Sequence, residues 1–282
     1  MKKLMNYMYG ILPYFVAEVI MAFVYNILIL IYRKVIEIKI GLEMHANGIV
    51  DSAKLIQAVE DAISREVLYL LSAIALLICG IVFFFWYKQE IQFEVRGSLR
   101  NVLKIKNIVL FLILGVGFQF LFSGIMNLIQ PYLTQIFTDY AKTIDVIISG
   151  NKIVIFFQVI LVAPIVEELI FRGLILHKAS KVIPFLGANI LQALLFGIYH
   201  WNIVQGIYAV LIGFVFGLIY HKFKTIFAPI ILHIFINASS FLAVLFPGNV
   251  LSYVSMVVIG GMFVVISSLM ISPRSMIKNK EE

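Results

Sequence analysis

The stretch Val162-Ala163-Pro164-Ile165-Val166-Glu167-Glu168-Leu169-Ile170-Phe171-Arg172-Gly173 sets two adjacent carboxylates and an arginine inside an otherwise apolar run. Folding alone asks for none of these charges. An ionised carboxylate in hydrocarbon costs about 3 kcal/mol even on lenient insertion scales, so an intramembrane acid faces the bundle interior and marks a candidate functional site. On a helix Glu168 and Arg172 are four apart and share a face, while Glu167 is rotated by roughly 100° from Glu168. Glu167 is thereby left without a local counter-ion.

Outward from this stretch the chain stays apolar. Of its 282 residues 62% are hydrophobic and 13% charged, and the mean hydropathy is +1.03, against roughly 45–50% apolar residues in a soluble domain. These values imply an all-α polytopic membrane protein with little room for a soluble domain. Apolar runs read against charged breaks predict about eight spans, near Met8–Tyr32, Val67–Tyr87, Ile108–Ile129, Ile153–Leu176, Phe185–His200, Val204–Tyr220, Ile226–Phe246 and Val250–Ile271. The fifth is short. The opening Met1-Lys2-Lys3 leads into a run that reaches Tyr32 and contains Glu18, too long for a signal-peptide core, so an uncleaved first span is expected.

The formal net charge is +7, but the basic residues sit in short flanks and form no continuous arginine-rich stripe. Membrane topology and anionic lipid account for them, and no nucleic-acid partner is expected. The single cysteine, Cys79, lies in an apolar segment and excludes a disulfide framework. If both termini are cytoplasmic, most lysines and arginines fall on the cytoplasmic side, as a multi-pass protein of the cell membrane requires.

Residues 1–107 read as N-terminal transmembrane helices with extramembrane connections, and residues 108–282 as a bundle whose core lies at about 153–245. In the long connection from Arg33 to Arg65, Val50, Leu55, Ile56, Val59, Ile63 and Val67 recur at near-helical spacing. They predict an amphipathic helix leading into the second span. The segment Gln89 to Lys106, with Ile91, Phe93 and Val95 alternating, reads as a solvated loop. His45, His177 and His221 stand in connections or at span ends and carry no motif. Glu18, in the first span, is a candidate for a helix contact.

Two more apolar segments carry polar residues that match the first. Phe196-Gly197-Ile198-Tyr199-His200 closes one, and Leu232-His233-Ile234-Phe235-Ile236-Asn237 lies within another, His233 and Asn237 sharing a helical face. With these the chain resembles the CAAX-protease and bacteriocin-processing (CPBP, or Abi) family of intramembrane proteases. That family includes type II CAAX prenyl endopeptidases and proteins like lysostaphin resistance protein A. Its motifs Glu-Glu-x-x-x-Arg, Phe-x-x-x-His and His-x-x-x-Asn stand here in order, and the resemblance covers about Phe156 to Ser240, including Gly213 and Gly217. It implies an endopeptidase acting on a membrane-associated peptide or protein. In bacteria it points toward peptide maturation, bacteriocin processing or self-immunity more than toward prenylated substrates.

Peptide hydrolysis inside a membrane needs a base for water, donors for the developing oxyanion and a wet cavity. Glu167 is the candidate base and His200 its partner, either sharing the water or protonating the leaving amine. His233 and Asn237, one turn apart, are candidate oxyanion donors, a contribution typically worth ~3 kcal/mol per donor. Glu168 paired with Arg172 would hold Glu167 in place. The resemblance implies the same assignments. Glu167, Glu168, His200 and His233 could instead ligate zinc, yet adjacent glutamates diverge on a helix and no His-Glu-x-x-His motif is present. A glutamate-type site without a cofactor is favoured and zinc stays open.

Each residue also has a bland explanation. Buried Glu–Arg pairs and asparagines tie helices together, and His200 beside Trp201 and Asn202 suits an aromatic belt. Three independent accidents would have to reproduce one order and spacing. A catalytically silent scaffold of the same family, serving bacteriocin self-immunity or the cell envelope, is the alternative function. A transporter is the third, but no continuous polar path is evident.

One site needs one depth. At ~1.5 Å per residue Glu167 lies about 16 Å from Lys178 and His233 about 13 Å from Lys224, whereas His200 lies about 28 Å from Lys181. The depths agree if the fifth helix enters the membrane only near Ala188, which brings His200 to roughly 18 Å. Pro184 and Gly187 are the expected breakers.

Overall fold

A computed structural model describes residues 2–49, 51–91, 97–148, 151–246 and 248–271. Its main helices are α1 (Lys2–Ala46), α2 (Ser52–Ala62), α3 (Arg65–Glu90), α4 (Ile105–Ile129), α5 (Thr134–Ile148), α6 (Lys152–Ser180), α7 (Phe185–Tyr199), α8 (Ile203–Phe223), α9 (Phe227–Ser239) and α10 (Val250–Ile271). Among the described residues there is no strand. Hydrocarbon offers no partner to a backbone amide, so apolar runs of this length close their hydrogen bonds within helices. Among the described residues six helices are long and apolar enough to cross a membrane: α1, α3, α4, α6, α8 and α10. The apolar α7 and α9 have 15 and 13 residues, below the ~20 of a full span. The chain is an all-α, multi-pass membrane protein.

The connection after the first span differs from expectation. Helix α1 does not end near Tyr32 but runs to Ala46, and α2 packs back against it, with Arg33 and Glu60 forming an ion pair. Asp51 caps α2 by accepting from the amides of Ala53 and Lys54. The amphipathic helix therefore exists, but it does not lead straight into the second span. Ser64 is extended and accepts the Val67 amide at 3.3 Å, starting α3 as a separate helix. Of the expected solvated loop, residues 92–96, including Phe93 and Val95, lie outside the described residues, whereas Ile91 is buried. The tail lysines and arginine, Arg274, Lys278 and Lys280, lie outside them too.

Helix α6 runs through the centre, and every residue from Leu169 to Leu176 is buried. It is not a uniform α-helix. Residues Phe156–Val162 and Leu169–Leu176 are wound as π-helix, flanking the α-helical turn Ala163–Glu168. Proline explains the first of these. The amide of Ala163 reaches back five residues to the carbonyl of Gln158; in that register the carbonyl of Val159 would look to residue 164, and Pro164 has no N–H to give.

Helices α6 and α7 share a fixed register. Ala179 and Ala188 pack in one small buried cluster with Leu176. Glu167 lies twelve residues from Ala179 and His200 twelve from Ala188; the π-wound turns of α6 rise less per residue than α-helix, so the two depths are similar rather than identical. Ala188 is the first fully buried residue of α7, although the helix itself starts at Phe185 behind the extended Pro184. The depth mismatch in the sequence disappears when counted from that contact.

Candidate active site

Three helices bring the motif residues together. Arg172 Nη1 donates to Glu168 Oε1 at 2.8 Å, the expected pairing across one turn, and both side chains are completely buried. The same oxygen meets His233 Nδ1 at 3.0 Å, joining α9 to α6. A carboxylate accepts, so this bond places a proton on Nδ1. The other ring nitrogen, Nε2, stands 3.6 Å from Glu167 Oε2. His233 is thus set between two neighbouring carboxylates, one holding the ring and the other facing its free edge.

That separation has a chemical meaning. At 3.6 Å an imidazole nitrogen and a carboxylate oxygen are too far apart for a direct hydrogen bond. An oxygen atom beside the pair can lie about 2.8 Å from both. The Glu167 side chain retains 13% of its exposure, against none for Glu168. Of the two acids, Glu167 is the one a substrate can reach.

His200 comes from the end of α7, where it caps the helix. Its Nδ1 lies 2.7 Å from the carbonyl of Phe196, one turn back. A carbonyl only accepts, so Nδ1 is the donor and Nε2 of the neutral ring is an acceptor.

Asn237 is placed differently from expectation. Its Nδ2 donates to Val159 O at 2.8 Å, answering the carbonyl that Pro164 leaves without a helical donor. One N–H of the amide remains. Asn237 therefore fastens α9 to the distorted part of α6, one turn beyond His233.

Aromatic rings wall this cluster. Phe196 meets Phe171, His200 and His233 edge-on at centroid distances of 5.0, 4.8 and 5.9 Å. Phe216 covers the His233 ring at 4.6 Å. The Arg172 guanidinium lies 4.5 Å from the Phe196 centroid and 4.9 Å from that of Phe216. Cation–π attraction offsets part of the cost of burying that charge.

Sequence reasoning passed over two residues, Asn189 and Gln192, both fully buried on α7. Gln192 Nε2 donates to the Gly213 carbonyl at 2.9 Å, the same oxygen that accepts Arg172 Nη2 at 3.0 Å. Asn189 Nδ2 donates to Phe214 O at 3.0 Å. The signal was present, because Asn189, Gln192, Phe196 and His200 follow a three-to-four residue spacing along one helical stripe. Their space comes from the glycines of α8. A Cβ on Gly213 would meet Phe196 at 2.9 Å and Arg172 Nη2 at 3.2 Å, and one on Gly217 would overlap Asn189 Oδ1. The Gly-x-x-x-Gly pair serves internal packing.

Of the four residues that could ligate zinc, two are engaged with protein partners. Glu168 Oε1 is shared by Arg172 and His233, and His233 Nδ1 is turned to that carboxylate. Among the described residues no three His, Cys, Asp or Glu side chains are grouped to hold an ion. Glu18 lies within α1, and its Oε1 is buried without a hydrogen-bond partner among the described residues.

Residues 149–239 match the family described as type II CAAX prenyl endopeptidase Rce1-like. The match is a likeness of this interval to that family. The matched interval holds all three motifs. Over 147 residues, 50% of this chain, the sequence is 29% identical to "Putative membrane peptidase YdiL" of Bacillus subtilis (strain 168). The match spans 59% of that protein's length. No solved structure matches the chain.

Proposed function

We propose that the chain is an intramembrane endopeptidase that hydrolyses a peptide bond in a membrane-associated protein or peptide, with Glu167 as the general base. The observation that carries this is His233 between Glu167 and Glu168, its Nδ1 anchored 3.0 Å from Glu168 and its Nε2 3.6 Å from Glu167. The likeness of residues 149–239 to the CAAX prenyl endopeptidase family and the similarity to a putative membrane peptidase support it.

The reaction follows from these positions. A water oxygen beside Glu167 gives one proton to the Glu167–His200 pair and bonds to the carbonyl carbon of the substrate. Negative charge then develops on the carbonyl oxygen, where Nε2 of His233, when it carries a proton, and the remaining N–H of Asn237 can donate. As the C–N bond breaks, the proton held by Glu167 or His200 passes to the departing amine. Glu168 and Arg172 take no proton. They hold His233 in orientation, and the buried network through Gly213, Gln192 and Asn189 holds them.

The test uses the full chain reconstituted in liposomes with a fluorogenic membrane-anchored peptide library. Glu167→Gln should lower the cleavage rate by about 10²- to 10⁴-fold while leaving the thermal unfolding midpoint within about a degree of wild type. Cleavage at the wild-type rate in that variant refutes the assignment and favours a silent scaffold. A strong chelator should leave the rate unchanged. A loss of activity restored by added zinc would replace the glutamate-type mechanism with a metal-dependent one.

A further inference from the structure

Trp201 follows His200 directly, at the centre of the turn from α7 to α8. His200 caps the end of α7, and Asn202 caps the start of α8 by accepting the Gln205 amide at 3.1 Å, so Trp201 alone lies between the two caps. The helices it joins are in backbone contact: a Cβ on Gly206 would meet the Gly197 carbonyl oxygen at 2.9 Å. Trp201 closes this short turn in a left-handed conformation, φ 51°, its amide donating to Ile198 O at 3.1 Å. Glycine adopts that conformation freely, whereas a bulky aromatic residue there is an outlier, and such strain collects at functional sites. The indole adds no packing that would offset it. It is 78% exposed, and among the described residues no ring stacks on it and no acceptor meets its N–H.

The depth of Trp201 is as unusual as its backbone. It is thirteen residues from Ala188, which packs with Ala179 beside Lys178, a rise of about 20 Å. Lys152, at the opposite end of α6, is twenty-seven residues from Ala179, less than about 40 Å because much of that helix is π-wound. The indole therefore lies about midway between the charged ends of α6, at a level similar to His200 and Glu167. Exposed tryptophans of membrane proteins collect at the two interfaces, where the ring meets lipid and the N–H meets water. Hydrocarbon gives that N–H no partner. Ile198 and Ile203, on either side, are exposed as well and make the surrounding surface apolar.

We propose that Trp201 binds the substrate: its ring covers a large apolar side chain beside the cleaved bond, and its N–H donates to a backbone carbonyl of the same peptide. The inference rests on the endopeptidase reading and adds to it a preference for that apolar residue.

The test uses the full chain in liposomes and the peptide of the membrane-anchored library that wild type cleaves fastest. Trp201→Gly should raise KM about tenfold with kcat within about twofold, the mark of binding lost equally from ground and transition state. It should unfold at a temperature no lower than wild type, because glycine relieves the left-handed turn. Trp201→Phe keeps a ring without the N–H and should raise KM about threefold. Serine in place of the apolar residue beside the cleaved bond should raise KM for wild type and leave that of Trp201→Gly nearly unchanged. The chain has two tryptophans, so Trp86→Phe combined with Glu167→Gln leaves Trp201 as the only tryptophan emitter in a protein that turns over slowly. In bilayers of lipid brominated at mid-chain its emission should be quenched, and the peptide should relieve the quenching. A wild-type KM in Trp201→Gly, a midpoint that falls together with activity, or quenching that the peptide leaves unchanged overturns the proposal while the Glu167→Gln result stands. If wild type cleaves no peptide, the endopeptidase reading fails and this inference fails with it.

Discussion

Glu168 and Arg172 form a buried ion pair whose worth lies more in orientation than in stability. Taking both charges out of water costs several kcal/mol, which their attraction only roughly repays. Removing one alone is a different matter. Arg172→Met leaves the fully buried Glu168 carboxylate with His233 as its remaining partner, and should cost about 3–5 kcal/mol. Glu168→Leu combined with Arg172→Met should recover most of that stability, seen as a thermal midpoint in detergent near wild type. Cleavage should not recover, because His233 loses the acceptor that fixes its Nδ1, and a catalytic group misplaced by about 1 Å costs on the order of a hundredfold. A double variant that is stable and fully active would show that Glu168 does not orient the site. The pairing of Glu168 with Arg172 could be read from the sequence, since four residues on a helix fix it. The bond from Glu168 to His233 could not, because 65 residues separate them and only the packing of α9 on α6 closes that gap.

Among the elements, α6 and α9 depend on each other through a missing hydrogen. Pro164 leaves the Val159 carbonyl without a helical donor, and Asn237 supplies one from the neighbouring helix. Asn237→Ala should therefore strand a polar group in the bundle and cost about 1–3 kcal/mol. Pro164→Ala restores a donor within α6, so the two substitutions should be less than additive. Thermal unfolding of the two single variants and the double measures the coupling; strict additivity would mean that the proline and the asparagine act independently. The spacing His233-x-x-x-Asn237 was legible and suggested two oxyanion donors side by side. The geometry gives the second residue a structural bond as well, because a proline's effect on hydrogen-bond register is not visible in apolar periodicity. Asn189 and Gln192 lie on the helical stripe of Phe196 and His200, but the space that the α8 glycines open for them is visible only in the packing. Helix ends were the other weak point. Past Arg33 the apolar residues Val35, Ile36, Ile38, Ile40 and Leu42 are mixed with charges and read as a connection, yet with a partner helix and the Arg33–Glu60 ion pair beside it α1 continues to Ala46.

At the scale of the whole molecule the open question is which end of the bundle faces the cytoplasm. Lys178, Lys181, Lys222 and Lys224 lie at the ends of α6 and α8, whereas Lys142 lies on α5, before α6 begins. The end of α6, the start of α7 and the end of α8 line one cavity, so α7 and α8 return the chain to the level that α6 reaches. The long apolar α6 separates Lys142 from Lys222, and the two should face opposite sides of the membrane. The excess of lysine at the second end predicts that it faces the cytoplasm. Cys79 is completely buried, so thiol reagents report on introduced cysteines with little background. In intact cells a membrane-impermeant maleimide should label Lys142→Cys and spare Lys222→Cys, which should react only after the membrane is opened. The reverse pattern would invert the protein. Labelling of both from outside would break that topology, and with it the opposed run of α6 and α7 that the Ala179–Ala188 contact implies.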